Sequence, residues 1–109
     1  MAVSYMYDHE WDKKLKIETV GRKDDHADAF HHPYEPTPYA VLERLAKSGY
    51  IRKDSVVVDY GSGKGRVNFF LTHQVGCGGI GVEYDEVTYN IAQQNLKNYP
   101  HRKKISFHH

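Results

Sequence analysis

Residues 59 to 65 read Asp59-Tyr60-Gly61-Ser62-Gly63-Lys64-Gly65, a carboxylate followed by three alternating glycines. Glycine at 61, 63 and 65 lets a backbone turn tightly and come close to a ligand where any Cβ would intrude. A carboxylate at the end of a strand lies on the edge where ligands enter open α/β sheets, and the N–H groups of a following helix suit an anionic moiety. The chemistry implied is the binding of a nucleotide-like cofactor. Spacing narrows the class. A dinucleotide fingerprint needs G-x-G-x-x-G, but Arg66 stands where the third glycine would be. A phosphate-binding P-loop needs G-x-x-x-x-G-K followed by Ser or Thr, but Gly63-Lys64 is followed by Gly65 and the first glycine position falls on Val58.

The surrounding elements can position such a loop. Ser55-Val56-Val57-Val58-Asp59 is short, β-branched and apolar, as expected of a central strand buried on both faces of a parallel sheet. A helix with Val67, Phe70, Leu71 and Val75 inward follows the loop and closes at Cys77-Gly78-Gly79. Ile80-Gly81-Val82-Glu83 reads as the second strand. Asp85 can then cap a helix with Val87, Ile91, Ala92, Leu96 and Tyr99 buried, and Lys104-Ile105-Ser106-Phe107 begins a third strand. Upstream, Thr37-Pro38 is read as an N-cap and first helical residue, with Val41, Leu42, Leu45 and Ala46 on one face and a stop near Ser48-Gly49. The alternation predicts an α/β, Rossmann-like parallel sheet. Residues 1 to about 35 show no sustained period beyond Leu15, Ile17 and Val20, and are read as an N-terminal arm or lid. Residues 36–109 form the ligand-binding unit.

The bulk numbers are consistent with one domain: 109 residues, 39% hydrophobic and 13% aromatic. Fifteen Lys and Arg against fourteen Asp and Glu leave no basic field, so nucleic acid is not expected as a partner. A lone cysteine, Cys77, and the lack of a leader or membrane-length apolar run suggest a reducing, cytoplasmic setting and no membrane association. His26, Asp28, His31 and His32 are metal-ligand types without an i, i+4 histidine pair, and are read as solvated, so no metal is expected. The same holds for the basic run Lys97, His101, Arg102, Lys103 and Lys104.

The pattern D-x-G-x-G-x-G, followed by Gly81-Val82-Glu83-Tyr84-Asp85 at the next strand end, resembles motifs I and II of class I S-adenosylmethionine-dependent methyltransferases. The resemblance extends back to Tyr34-Glu35-Pro36-Thr37-Pro38-Tyr39 and covers residues 34–107. It implies S-adenosylmethionine as cofactor, with Gly61, Ser62, Gly63 and Gly65 beside its methionine part and Asp59 near its amino group. Glu83 would accept from the ribose hydroxyls, Tyr84 would pack near adenine, and Thr37 would touch the cofactor on the approach to its helix. The Tyr34–Pro38 approach and the Gly81-Val82-Glu83 strand end are also similar to histone-core lysine methyltransferases, features shared with bacterial small-molecule and protein enzymes. The methyl acceptor, protein or small molecule, therefore stays open. In the family, acceptor-facing residues lie at and beyond a fourth strand, so the chain is expected to hold the cofactor-binding half, truncated after its third strand, with catalytic residues unknown. The alternative is a non-catalytic binding or assembly module that needs a partner chain. With no fourth strand, one edge of Val56-Val57-Val58 would lie unpaired, which predicts a homodimer through that strand.

Overall fold

The helix Tyr5–Leu15 (α1) is followed by Tyr39–Lys47 (α2), Val56–Tyr60 (β1), Arg66–Val75 (α3), Gly78–Val82 (β2), Glu86–Asn98 (α4), a 3-10 turn at Arg102–Lys104, and Ile105–His108 (β3). These come from a computed structural model that describes residues 5–20 and 35–109. The three strands are parallel in the order β1-β2-β3, with Val56 opposite Gly78, Asp59 opposite Gly81 and Gly79 opposite Ile105. The expected α/β parallel sheet is therefore present. However, β2 is its middle strand, and β1, read as central, is an edge.

Side chains alternate along β1, so Val57 and Asp59 are half-buried while Val56, Val58 and Tyr60 are exposed. This corrects the expectation that β1 is covered on both faces. Among the described residues the helices pack against one face, where Phe69, Phe70 and Leu71 of α3 form a core with Ile105 and Phe107 of β3 and Tyr99 beyond α4. Phe69 lies 5.3 Å from Phe107 and 5.0 Å from Tyr99, ring centre to ring centre. Gly76, in the left-handed region at φ +84°, ends α3 with its N–H on Thr72 O, so the helix stops before Cys77. Gly78 and Gly79 belong to β2 instead. A Cβ on Gly79 would lie 2.8 Å from the Asn68 amide nitrogen, so the glycine lets α3 press onto the sheet.

Two helices keep part of the expected inner face, Leu42 on α2 and Ala92 with the following Tyr99 on α4, and shift the rest. On α2, Tyr39 and Leu42 are buried, while Val41 and Leu45 are exposed. On α4 the buried positions are Thr88, Ala92 and Asn95, and Val87 is exposed. Asp85 does cap α4, its Oδ2 accepting from Thr88 N at 2.9 Å.

The first segment departs most from its reading. Residues 5–15 form a helix whose inward positions are Asp8, Trp11, Asp12 and Leu15, a 3.6-residue spacing in which two members are aspartates. Trp11 stands edge-on to Phe70 at 4.9 Å and stacks on Tyr39 at 5.8 Å, and Leu15 and Ile17 enter the core. Lys16 ends α1 at φ +61°, and the chain then runs extended with Ile17 and Thr19 buried. Among the described residues no helix is long and apolar enough to cross a membrane.

Candidate functional site

The loop between β1 and α3 is fastened to the carboxyl end of β2. Gly61 N and Ser62 N both donate to Val82 O, at 2.7 and 3.0 Å. Its three glycines all have positive φ, but they serve different ends. Gly61 (φ +80°) is exposed and a Cβ there would meet nothing within 4 Å, so the conformation alone demands glycine and the space above it is open. Gly63 (φ +60°) is buried. At Gly65 (φ +97°) a Cβ would lie 2.5 Å from Phe107 Cζ and 2.6 Å from Phe69 Cε2. The room kept at Gly65 thus goes to two core aromatic rings, which corrects the reading that all three glycines make space for a ligand. Ser62 is buried beside Gly81, and its Oγ has no hydrogen-bond partner among the described residues.

The two strand-end acids converge on this loop. Glu83 Oε1 accepts from Gly63 N at 2.7 Å, and its Oε2 accepts from Asp85 N at 2.9 Å. Glu83 N in turn donates to His108 O at 2.9 Å, which fixes the acid's root to the end of β3. Asp59 is half-buried, and burial first, then the nearby Glu83 charge, pushes its carboxyl above the usual carboxylate range. Asp85 is committed to capping α4 through Thr88 N and Thr88 Oγ1. Tyr84 is 94% exposed, so its ring belongs to the rim of the site and not to the core. Tyr60, 81% exposed, stands at the loop's other root.

Thr37 is placed differently from its reading. Pro38, not Thr37, occupies the N-cap position of α2, and no side-chain cap bond is made there. The carbonyl of Thr37 accepts from Arg66 Nη1 at 3.1 Å, which holds the approach to α2 against the first residue of α3. Next to it, burial and the Asp12 carboxylate push the Tyr39 hydroxyl far above its ordinary range, so it remains a donor to Asp12. The sequence reading passed over Arg66, Asn95, Asp8, Asp12 and Thr19, all of which are buried. The only local signal was the i, i+4 spacing of Asp8 and Asp12 on a helix face.

His26, Asp28, His31, His32 and Tyr34 lie outside the described residues. Among the described ones, no three His, Cys, Asp or Glu side chains are grouped to hold a metal ion. The basic residues Lys97 and Arg102 line a depression of about 410 Å³ with Gln93 and Leu96. The turn at 102–104 precedes β3, so this depression lies toward the amino ends of the strands, away from the glycine loop.

No family model matches the chain. A stretch of 68 residues, 62% of the chain, is 41% identical to part of a histone-lysine N-methyltransferase specific for H3 lysine 79 from Dictyostelium discoideum, of which it spans 4%. An RNA methyltransferase from Salinibacter ruber, solved with S-adenosyl-L-homocysteine, superposes with a TM-score of 0.62 at 29% identity, over 67% of this chain and 48% of that one. A S-adenosylmethionine-dependent methyltransferase from Geobacter sulfurreducens, also solved with S-adenosyl-L-homocysteine, superposes with a TM-score of 0.59 at 20% identity, over 78% of this chain and 33% of that one. The chain therefore spans half or less of the proteins it matches. Over that span it has the α/β fold of class I S-adenosylmethionine-dependent methyltransferases.

Proposed function

We propose that this chain carries the cofactor-binding part of a S-adenosylmethionine-dependent methyltransferase. The observation that carries the reading is the Glu83 carboxylate, held at the end of β2 with one oxygen on Gly63 N and the other on Asp85 N. Each carboxylate oxygen can accept a second bond, so the pair suits the two vicinal hydroxyls of a ribose. Other features fit the same ligand. Asp59 has its carboxyl pushed up by burial and by Glu83, and a cationic amino group beside it would relieve that repulsion. Ser62 Oγ is buried without a partner among the described residues, and the space over Gly61 is open.

When bound, the cofactor supplies an electrophilic methyl group on a sulfonium. The chain's own part is orientation. Glu83 sets the ribose, the loop from Gly61 to Gly63 supports the methionine part, Asp59 holds the amino group, and the exposed Tyr84 ring covers the adenine. No side chain is assigned to the acceptor. Two of the similar proteins act on different acceptors, a histone lysine and RNA, so the similarity favours no acceptor.

Calorimetry with S-adenosylmethionine, S-adenosylhomocysteine and NAD in parallel tests the reading: the first two bind and NAD does not. NAD binding without S-adenosylhomocysteine binding overturns it. Glu83→Gln should weaken S-adenosylhomocysteine by about 1–3 kcal/mol, because a charge-assisted bond is lost and the new amide would face the Asp85 N–H donor-to-donor. The outer edge of β1, unpaired among the described residues, favours a second reading: a binding or assembly module that acts only with another chain docked. Under that reading S-adenosylhomocysteine binds, yet methyl transfer appears only on adding the partner.

A further inference from the structure

Arg66 is the first residue of α3, directly after Gly65, and is 2% exposed. Its Nε donates to Thr19 Oγ1 at 2.7 Å, and its Nη1 donates to Asp8 Oδ2 and to Thr37 O, both at 3.1 Å. The guanidinium carbon stands 4.2 Å from the centre of the Tyr39 ring. Asp12 completes the assembly by accepting from Tyr39 Oη, Thr19 Oγ1, Thr19 N and Val20 N. Asn95 makes a parallel connection. It exchanges two bonds with the Glu18 backbone and donates a third to Lys64 O at 3.0 Å. The extended residues 18–20 are thus linked to the glycine loop through the Asn95 side chain, which bridges Glu18 and Lys64 O, and bonded directly to Arg66, the residue after the loop.

Stability alone does not account for this arrangement. Arg66 Nη2 and Asp8 Oδ1 are buried with no partner among the described residues, and a buried ion pair left incompletely bonded offsets much of its own attraction. What the network does fix is geometry: three segments distant in sequence meet on one planar guanidinium beside Gly65. Arg66 also stands where a dinucleotide loop would have its third glycine, and here that position sends its side chain into the core.

We propose that Arg66 is a positioning residue for the cofactor site, setting the loop from Gly63 to Gly65 through its bonds to Thr19, Asp8 and Thr37, so that cofactor binding and docking of residues 18–20 are coupled. The proposal rests on the methyltransferase reading above. Coupling of this kind is reciprocal: a ligand that fixes the loop must tighten residues 18–20 by the factor that their docking tightens the ligand.

The test uses the full chain, with S-adenosylhomocysteine as probe, and follows affinity by calorimetry, thermal midpoint, and amide exchange at Glu18, Thr19 and Val20. In the wild type the probe should slow exchange at these three amides. Arg66→Lys keeps the charge but not the planar fork; it should bind the probe about tenfold more weakly and lose the induced protection. Asp8→Asn, at the partly exposed end of the network, should show a smaller loss of both and serves where the Arg66 variant fails to fold. A folded variant with a lowered midpoint but wild-type affinity would make Arg66 purely structural and overturn the proposal, as would unchanged exchange at residues 18–20 on saturating the wild type. A wild type that binds no probe brings down the methyltransferase reading itself, and the inference with it; binding that survives Arg66→Lys undiminished brings down the inference alone.

Discussion

The two faces of the sheet are built from the same three strands, yet they are opposite in character. One carries Val57, Asp59, Gly79, Gly81, Ile105 and Phe107 under the helices; the other carries Val56, Val58 and Tyr60 of β1, opposite Gly78, Ile80 and Val82 of β2. Val56 is 60% exposed although it is as apolar as Val57. The cause lies in topology and not in composition. The crossovers from β1 to β2 and from β2 to β3 advance in one direction, and crossovers of one hand then lay α3 and α4 on one face. A run of β-branched residues shows that a strand suits a covered sheet; which face is covered depends on where the chain goes next.

The largest expected difference is between Phe107 and Val58. Phe107 fills the space left at Gly65 and Gly81 and touches Phe69, so Phe107→Ala should cost about 3–5 kcal/mol, enough to unfold a small domain of ordinary stability. Val58→Thr, on the bare face, should stay within about 0.5 kcal/mol. Urea denaturation of both variants measures the contrast. Comparable losses would mean that something covers Val58 in solution.

Such a cover is the next expectation. An unpaired strand edge beside an exposed apolar face is a template for another chain, so the protein should self-associate through β1 as its concentration rises. Val58→Lys should return it to a monomer in light scattering without lowering its urea midpoint at low concentration. A wild type that stays monomeric across the whole range would retire this idea.

The contrast between faces also marks how far the sequence could be read. The strand, glycine loop and helix order and the Asp85 cap follow from patterns spanning a few residues, and these were legible. Gly65 was not, because its neighbour Phe107 arrives from the third strand and no local pattern separates it from Gly61. The helix at Tyr5–Leu15 was missed because Asp8 and Asp12 hold positions an apolar residue would normally take, and it is Arg66, Tyr39, Thr19 and Val20, all outside the helix, that make that burial tolerable. Asn95 was missed as an inward position of α4 for the same reason: it bonds the backbone of Glu18 and Lys64.

Asp59 sits on the covered face at its ligand edge, and there stability and binding should oppose each other. Its carboxyl is raised in the folded chain, so between the unfolded and folded values the native state holds more protons. Stability from this group therefore falls as pH rises through that window, and above it the ionised carboxylate is carried at a cost. Asp59→Asn should raise the urea midpoint modestly at neutral pH, flatten its dependence on the acid side, and weaken S-adenosylhomocysteine several-fold. A lowered midpoint at neutral pH would mean that the ionised Asp59 has stabilising partners in the folded chain.

A small effect is expected where the covered face is closed off by the N-terminal segment. Lys16 occupies the left-handed position at the end of α1, with Lys16 N on Lys13 O at 3.2 Å and Ile17 N on Asp12 O at 3.0 Å, the paired bonds of a glycine-type helix stop. A side chain in that conformation costs about 1–2 kcal/mol, and glycine gives back about 0.5–1 kcal/mol through its greater freedom in the unfolded chain. Lys16→Gly should therefore stabilise the protein by about 0.5–1 kcal/mol. Because Lys16 is exposed and belongs to neither the loop nor the β1 edge, self-association should stay as in the wild type. A gain in S-adenosylhomocysteine affinity alongside the gain in stability would show that tighter docking of residues 17–20 reaches the glycine loop, and would strengthen the coupling assigned to Arg66. A loss of stability would show that the lysine side chain contributes more than the strained backbone costs.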